Sequence, residues 1–334
     1  MNKKILIGII TVVVVIGVYL FLAGGPKPTI KIDNEDWDSI KLNTAIAKFI
    51  VSEGYEYQVK IVEETSKEVM ENLSKGVVDL TLEGWQQNKL KWYNENIEKG
   101  TIVNLGMTFE SGPQFFIIPK WFADQYNIRT IFDMASYWRL FKDPEDSTKG
   151  VFYNCLIGWA CKDINIVKME AYGLTRQYNM VSSASEEALE SVMAKAQQNR
   201  QPVFGYFWAP TALMGKYDWY ILEEPSYSDK CWEKVVAAVE DKSLRPIDEA
   251  CAYESLPVDK IAHVGLAKKA PDVVEMLKKM NVGLEPLNQV LAWAEEENIQ
   301  DWEEAAIYYL QNYEERWETW VTPQAYGNIK RAIE

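Results

Sequence analysis

The chain has 334 residues, 48% hydrophobic, 13% aromatic and 25% charged, enough for a sizeable core and, at roughly 100–200 residues per domain, for two domains. That mixture excludes disorder over most of the length, and a net charge of −14, from 35 Lys+Arg against 49 Asp+Glu, makes nucleic acid a poor electrostatic match. A single histidine, His263, removes His-pair metal sites and argues against Ser–His or Cys–His catalysis, so no metal or cofactor is expected.

At the N-terminus, Lys3 and Lys4 precede an uncharged apolar run over residues 5–23, closed by Gly24-Gly25-Pro26. A basic start, an apolar stretch and a helix-breaking end read as an export signal. At about 1.5 Å per residue the run also nearly spans a bilayer, so residues 1–27 are expected to be a signal peptide or a membrane anchor. Gly25 stands where a lipoprotein signal carries its lipidated cysteine, which excludes a lipid anchor at that site. Two lysines before the run place the following domain outside the membrane, tethered or secreted. Cysteines there tend to pair. Cys155 lies close to Cys161 and Cys231 to Cys251; several connectivities are open, and local pairing of each couple is the simplest.

Beyond the signal the pattern alternates strand and helix. A strand over 29–33 is followed by a helix over 39–52 carrying Leu42, Ile46, Phe49 and Ile50 at helical spacing. Tyr57, Val59 and Ile61 alternate as a strand, Thr65 and Glu68 form a capping box for a helix ending near Gly76, and residues 78–82 alternate again. This order implies a parallel sheet with right-handed crossovers. The same grammar returns as strand 151–153, helices 163–173 and 185–199, and strand 203–207. The apolar strands 115–119 and 260–266 are placed to link two lobes. Near the C-terminus Trp302, Ala306, Tyr309, Tyr313, Trp317 and Trp320 recur at helical steps, a packing stripe.

Tryptophan is the unusual residue, at 13 copies. Trp37, Trp85, Trp159 and Trp208 each follow a predicted strand, and in an open α/β sheet ligands bind beyond the carboxyl ends of the strands. Several indole faces suit sugars or quaternary ammonium groups, the latter through cation–π contacts worth about 0.5–2 kcal/mol each. Glu83 and Glu110 are candidate counter-ions, set against the plainer reading of solvated loop carboxylates. The segment Gly158-Trp159-Ala160-Cys161 leads into a helix start, whose backbone N–H groups suit an anion. A cation cage beside free amides describes a zwitterion such as a betaine.

These residues resemble the glycine betaine/proline betaine-binding proteins of osmoprotectant ABC importers, across nearly all of residues 29–325. The stretches that carry the resemblance are Asp79-Leu80-Thr81-Leu82-Glu83-Gly84-Trp85, Asn154-Cys155-Leu156-Ile157-Gly158-Trp159-Ala160-Cys161 and Tyr206-Phe207-Trp208-Ala209-Pro210. The resemblance implies a two-lobed, periplasmic-binding-protein-like (type II) α/β fold, with a ligand cleft between lobes and an ABC permease as partner. It implies that Trp85, Trp159 and Trp208 box the trimethylammonium group, that amides around Ala160 and Cys161 hold the carboxylate, and that Cys155–Cys161 staples that turn. Ala160 departs from the family's usual glycine but keeps its N–H. Trp37 is similar to a tryptophan of choline- and trimethylamine-type relatives.

The expected division is 28–113 and 267–334 for lobe one and 114–266 for lobe two. The function is expected to be capture of glycine betaine or a related methylated amine for import, with no catalysis. Choline or trimethylamine N-oxide is the alternative ligand, favoured if Glu83 points into the cleft. A carbohydrate-binding protein or glycoside-acting enzyme is the rival class. A glycosidase needs paired carboxylates about 5–10 Å apart across a cleft, and no motif marks such a pair.

Overall fold

A computed structural model describes residues 27–334. The expected signal or anchor segment therefore lies outside the described residues, among which no helix is long and apolar enough to cross a membrane. Strand β1 (Ile30–Asn34) leads into helix α1 (Asp38–Phe49), which buries Leu42, Ile46 and Phe49 at the expected steps and runs on into a π-helical turn, Ile50–Gly54. After β2 (Val59–Glu63), Thr65 and Glu68 make both hydrogen bonds of the capping box that opens α2 (Ser66–Ser74). Strand β3 (Leu80–Gly84) is buried at every position, and β4 (Ile102–Phe109) completes this part of the chain.

The chain then crosses to a second set of elements. Strand β5 (Gln114–Pro119) is followed by β6 (Gly150–Asn154), α3 (Ala160–Ala171), β7 (Tyr178–Ser182), α4 (Glu186–Gln198), β8 (Gly205–Trp208) and β9 (Trp219–Ile221). It returns as β10 (Val258–His263). Two sheets result, ordered β2-β1-β3-β10-β4 and β7-β6-β8-β5-β9.

Both sheets are mixed rather than parallel, and for one reason. β10 runs antiparallel to β3 and β4, and β5 runs antiparallel to β8 and β9. Each is the first strand after a crossing, so it enters at the cleft end, where the parallel strands finish, and must run back down the sheet. Gln114 at the start of β5 is thus paired with Trp208 at the end of β8. Because β10 pairs within the first sheet, the return crossing precedes Val258, earlier than the expected boundary at 266.

The C-terminal aromatic stripe divides into helices Trp302–Asn312, Glu314–Trp317 and Pro323–Ile333. The first packs on α1, and Tyr309 and Trp317 are fully buried there. The cysteines pair locally, Cys155–Cys161 with Cα atoms 5.8 Å apart and Cys231–Cys251 with 6.3 Å.

Candidate functional site

Trp37 follows β1, Trp85 follows β3, Trp159 follows β6 and Trp208 ends β8, so all four lie at carboxyl ends of strands that face the cleft. They line one small cavity. The Trp159 ring stands edge-on to Trp37 on one side and to Trp208 on the other, with centroids 4.9 Å apart in both pairs. Trp159 Nε1 also donates to Asp36 Oδ1 at 2.5 Å, a bond between the two lobes. The position of Trp85 depends on Gly112 in the first crossing: a Cβ there would lie 2.6 Å from the indole Cζ3 and 2.5 Å from Val258 Cγ2.

Helix α3 presents its start to the same cavity through Ala160 and Cys161. Gly158, at φ 95°, lets the disulfide-closed turn reverse direction just before it. Of the amides in this segment, that of Trp159 is already committed, donating to the Leu156 carbonyl at 3.2 Å. Ala160 and Cys161 occupy the first helical turn, whose N–H groups have no intrahelical acceptor, and no side chain caps them.

Several lining residues were not singled out from the sequence. Gln114 Oε1 accepts from Tyr206 O–H at 2.7 Å, while Gln114 Nε2 donates to Asn88 Oδ1 at 3.0 Å, a polar bridge between lobes. Lys89, only 8% exposed, lines the cavity beside Ser66. Its ammonium acts on two carboxyls behind the wall. Burial pushes Glu35 up to about 7, and Lys89 opposes that rise; burial and then Glu35 raise Asp33 well above the ordinary carboxylate range, again against Lys89.

Glu83 behaves as neither expectation required. It is fully buried, so it caps no solvent-facing turn, and it is not part of the cavity wall. Its Oε2 accepts from Trp37 Nε1 at 2.7 Å, Trp85 Nε1 at 3.0 Å and Ser39 Oγ at 3.1 Å, and its Oε1 accepts from Asn43 Nδ2 at 2.7 Å. Burial pushes its carboxyl above the ordinary value, and these donors, led by Trp37, pull it back. Glu110 is exposed and accepts from the Leu284 N–H at 3.1 Å, at the start of helix Leu284–Glu296.

Two lobes joined by two crossings and closed over an indole-lined cavity define a two-lobed solute-binding protein of the periplasmic type. The family described as the substrate binding domain of the ABC-type glycine betaine transport system matches residues 28–312, and the chain belongs to it. It is thus a substrate-binding protein of an ABC importer, working outside the cytoplasm, and not an enzyme. Solved structures share the fold at low identity. A glycine betaine/L-proline-binding protein (ProX) from Borrelia burgdorferi is 17% identical, with a TM-score of 0.71 over 90% of this chain and 100% of its own. Lactococcal OpuAC in its closed form with glycine betaine is 15% identical, with a TM-score of 0.68 over 89% and 100%. An ABC-transporter choline-binding protein in complex with choline is 17% identical, with a TM-score of 0.70 over 92% and 98%.

Proposed function

We propose that the cavity binds glycine betaine, or a close zwitterionic methylated amine, and that the closed protein delivers it to an ABC permease. Trp37, Trp85, Trp159 and Trp208 form the cage for the ammonium group, and the amides of Ala160 and Cys161 hold the carboxylate. The observation that carries the reading is the pairing of four indoles with open amides and a lysine, Lys89, around a single cavity. A carboxylate gains charge-assisted bonds from those donors, roughly twice as strong as the neutral ones open to the hydroxyl of choline.

Lobe one comprises about residues 28–109 with 258–334, and lobe two the span between the crossings, divided where the sheets divide. Residues 1–27 serve as the export signal or membrane tether, which supports placement beside the permease. Competition calorimetry on residues 27–334 tests the ligand assignment with glycine betaine, proline betaine, choline and trimethylamine N-oxide. Glycine betaine is expected to bind at least about tenfold tighter than choline, a difference of about 1.4 kcal/mol. Equal affinity for the two would overturn the zwitterion assignment and leave a site that reads the ammonium group alone.

A further inference from the structure

Glu83 is completely buried and accepts four hydrogen bonds, yet burial and those bonds, not a neighbouring cation, are what act most strongly on its carboxyl. Indole and amide N–H groups only donate, so the contacts from Trp37, Trp85 and Asn43 require acceptor oxygens, the arrangement of a carboxylate. A buried carboxylate without an ion-pair partner is destabilising, and a cation brought nearby relieves it. The two rings it holds are walls of the cavity, while Glu83 itself stays behind them. Its charge therefore reaches the cavity through the rings. An anion accepting from each indole N–H also makes the ring face more electron-rich, which strengthens attraction to a cation.

We propose that Glu83 is a positioning residue whose negative charge, acting through the two indoles it anchors, makes the cage discriminate a quaternary ammonium from its neutral isostere. The inference rests on the betaine reading above and adds the origin of charge selectivity. It differs from a counter-ion in the cavity: no contact between Glu83 and ligand is required, and no carboxylate faces the ligand's own carboxylate.

The test pairs glycine betaine with 3,3-dimethylbutanoate, in which carbon replaces the charged nitrogen at unchanged shape. Calorimetry on the wild type, Glu83→Gln and Glu83→Asp reads the affinity of each compound. Glu83→Gln should weaken glycine betaine by roughly tenfold and the isostere by less than about twofold. Glu83→Asp keeps the charge but shortens the reach, so it should weaken both compounds alike and preserve their ratio; it also carries the test if Glu83→Gln does not fold. Equal losses for both compounds in Glu83→Gln would reduce Glu83 to a purely structural prop, and no loss for either would remove it from the site. A lost ratio in Glu83→Asp would overturn the charge argument as well. A wild-type protein that binds neither glycine betaine nor choline defeats the ligand reading itself, and this assignment with it.

Discussion

An indole serves packing or binding according to what stands in front of its face. Trp317 sits inside the C-terminal helices, fully buried, with Nε1 donating to the Leu310 carbonyl at 2.8 Å and its ring stacked on Tyr326 at 5.3 Å. Trp85, Trp159 and Trp208 turn toward a cavity instead. Replacing any of these three by alanine is expected to weaken glycine betaine binding by about 1–3 kcal/mol, read by calorimetry. Trp317→Ala should lower the melting temperature and leave affinity nearly intact. Unchanged affinity in all three cage variants would displace the site. The positions of Trp37, Trp85, Trp159 and Trp208 were legible because strand ends were legible. Glu83 was not: the alternation placed the strand at 78–82 and left Glu83 in a loop, whereas β3 runs to Gly84 and carries it into the buried sheet end. Lys89, Asn88 and Gln114 reach the cavity only through the short turn after Trp85 and the crossing strand, and as single polar residues they carry no pattern.

Elements differed in legibility for a similar reason. The strands that escaped the sequence reading, β4, β7 and β9, all lie at sheet edges. An edge strand is half solvated and need not alternate, as the mixed burial along β4 and β7 shows. The turn before α3 was legible because its cysteines, its glycine and its tryptophan fall within one short segment. Closing so short a loop removes chain entropy worth about 2 kcal/mol, less than a long loop would, so the Cys155–Cys161 bond stabilises modestly and also holds the amide-bearing turn. A Cys155→Ser/Cys161→Ser variant should therefore lose several-fold in glycine betaine affinity, lose less for choline, which does not use the amides as a carboxylate does, and melt only a few degrees lower. Calorimetry beside thermal unfolding checks this, and an equal loss for both ligands would detach the disulfide from anion recognition.

Across the whole molecule, closure brings acidic surfaces of the two lobes together. Glu186 and Glu190 of α4 belong to lobe two; Asp38 at the start of α1 and Glu295 of helix Leu284–Glu296 belong to lobe one. Glu186 Oε2 accepts from the Asp38 N–H at 2.7 Å, and Lys216 of lobe two pairs with Glu295 at 2.6 Å. Burial, then the Asp38 and Glu190 charges, raise Glu186 well above the ordinary range, with Lys41 opposing. Burial, then Asp38 and Glu295, push Glu190 from 4.5 up to about 7, with Lys216 opposing. Opening separates these groups and readmits water, so both carboxyls fall back toward ordinary values and the open form holds fewer protons. A carboxyl raised in one form favours that form at low pH, and the preference is lost as pH rises through the raised value. Closure, and with it ligand affinity, should therefore be strongest near pH 5 and weaken toward pH 8, with protons taken up on binding. Calorimetry in buffers of differing ionisation enthalpy counts those protons, and Glu190→Gln should flatten the profile without abolishing binding. Affinity that is constant or rises over the same interval would show that the acidic faces do not control closure.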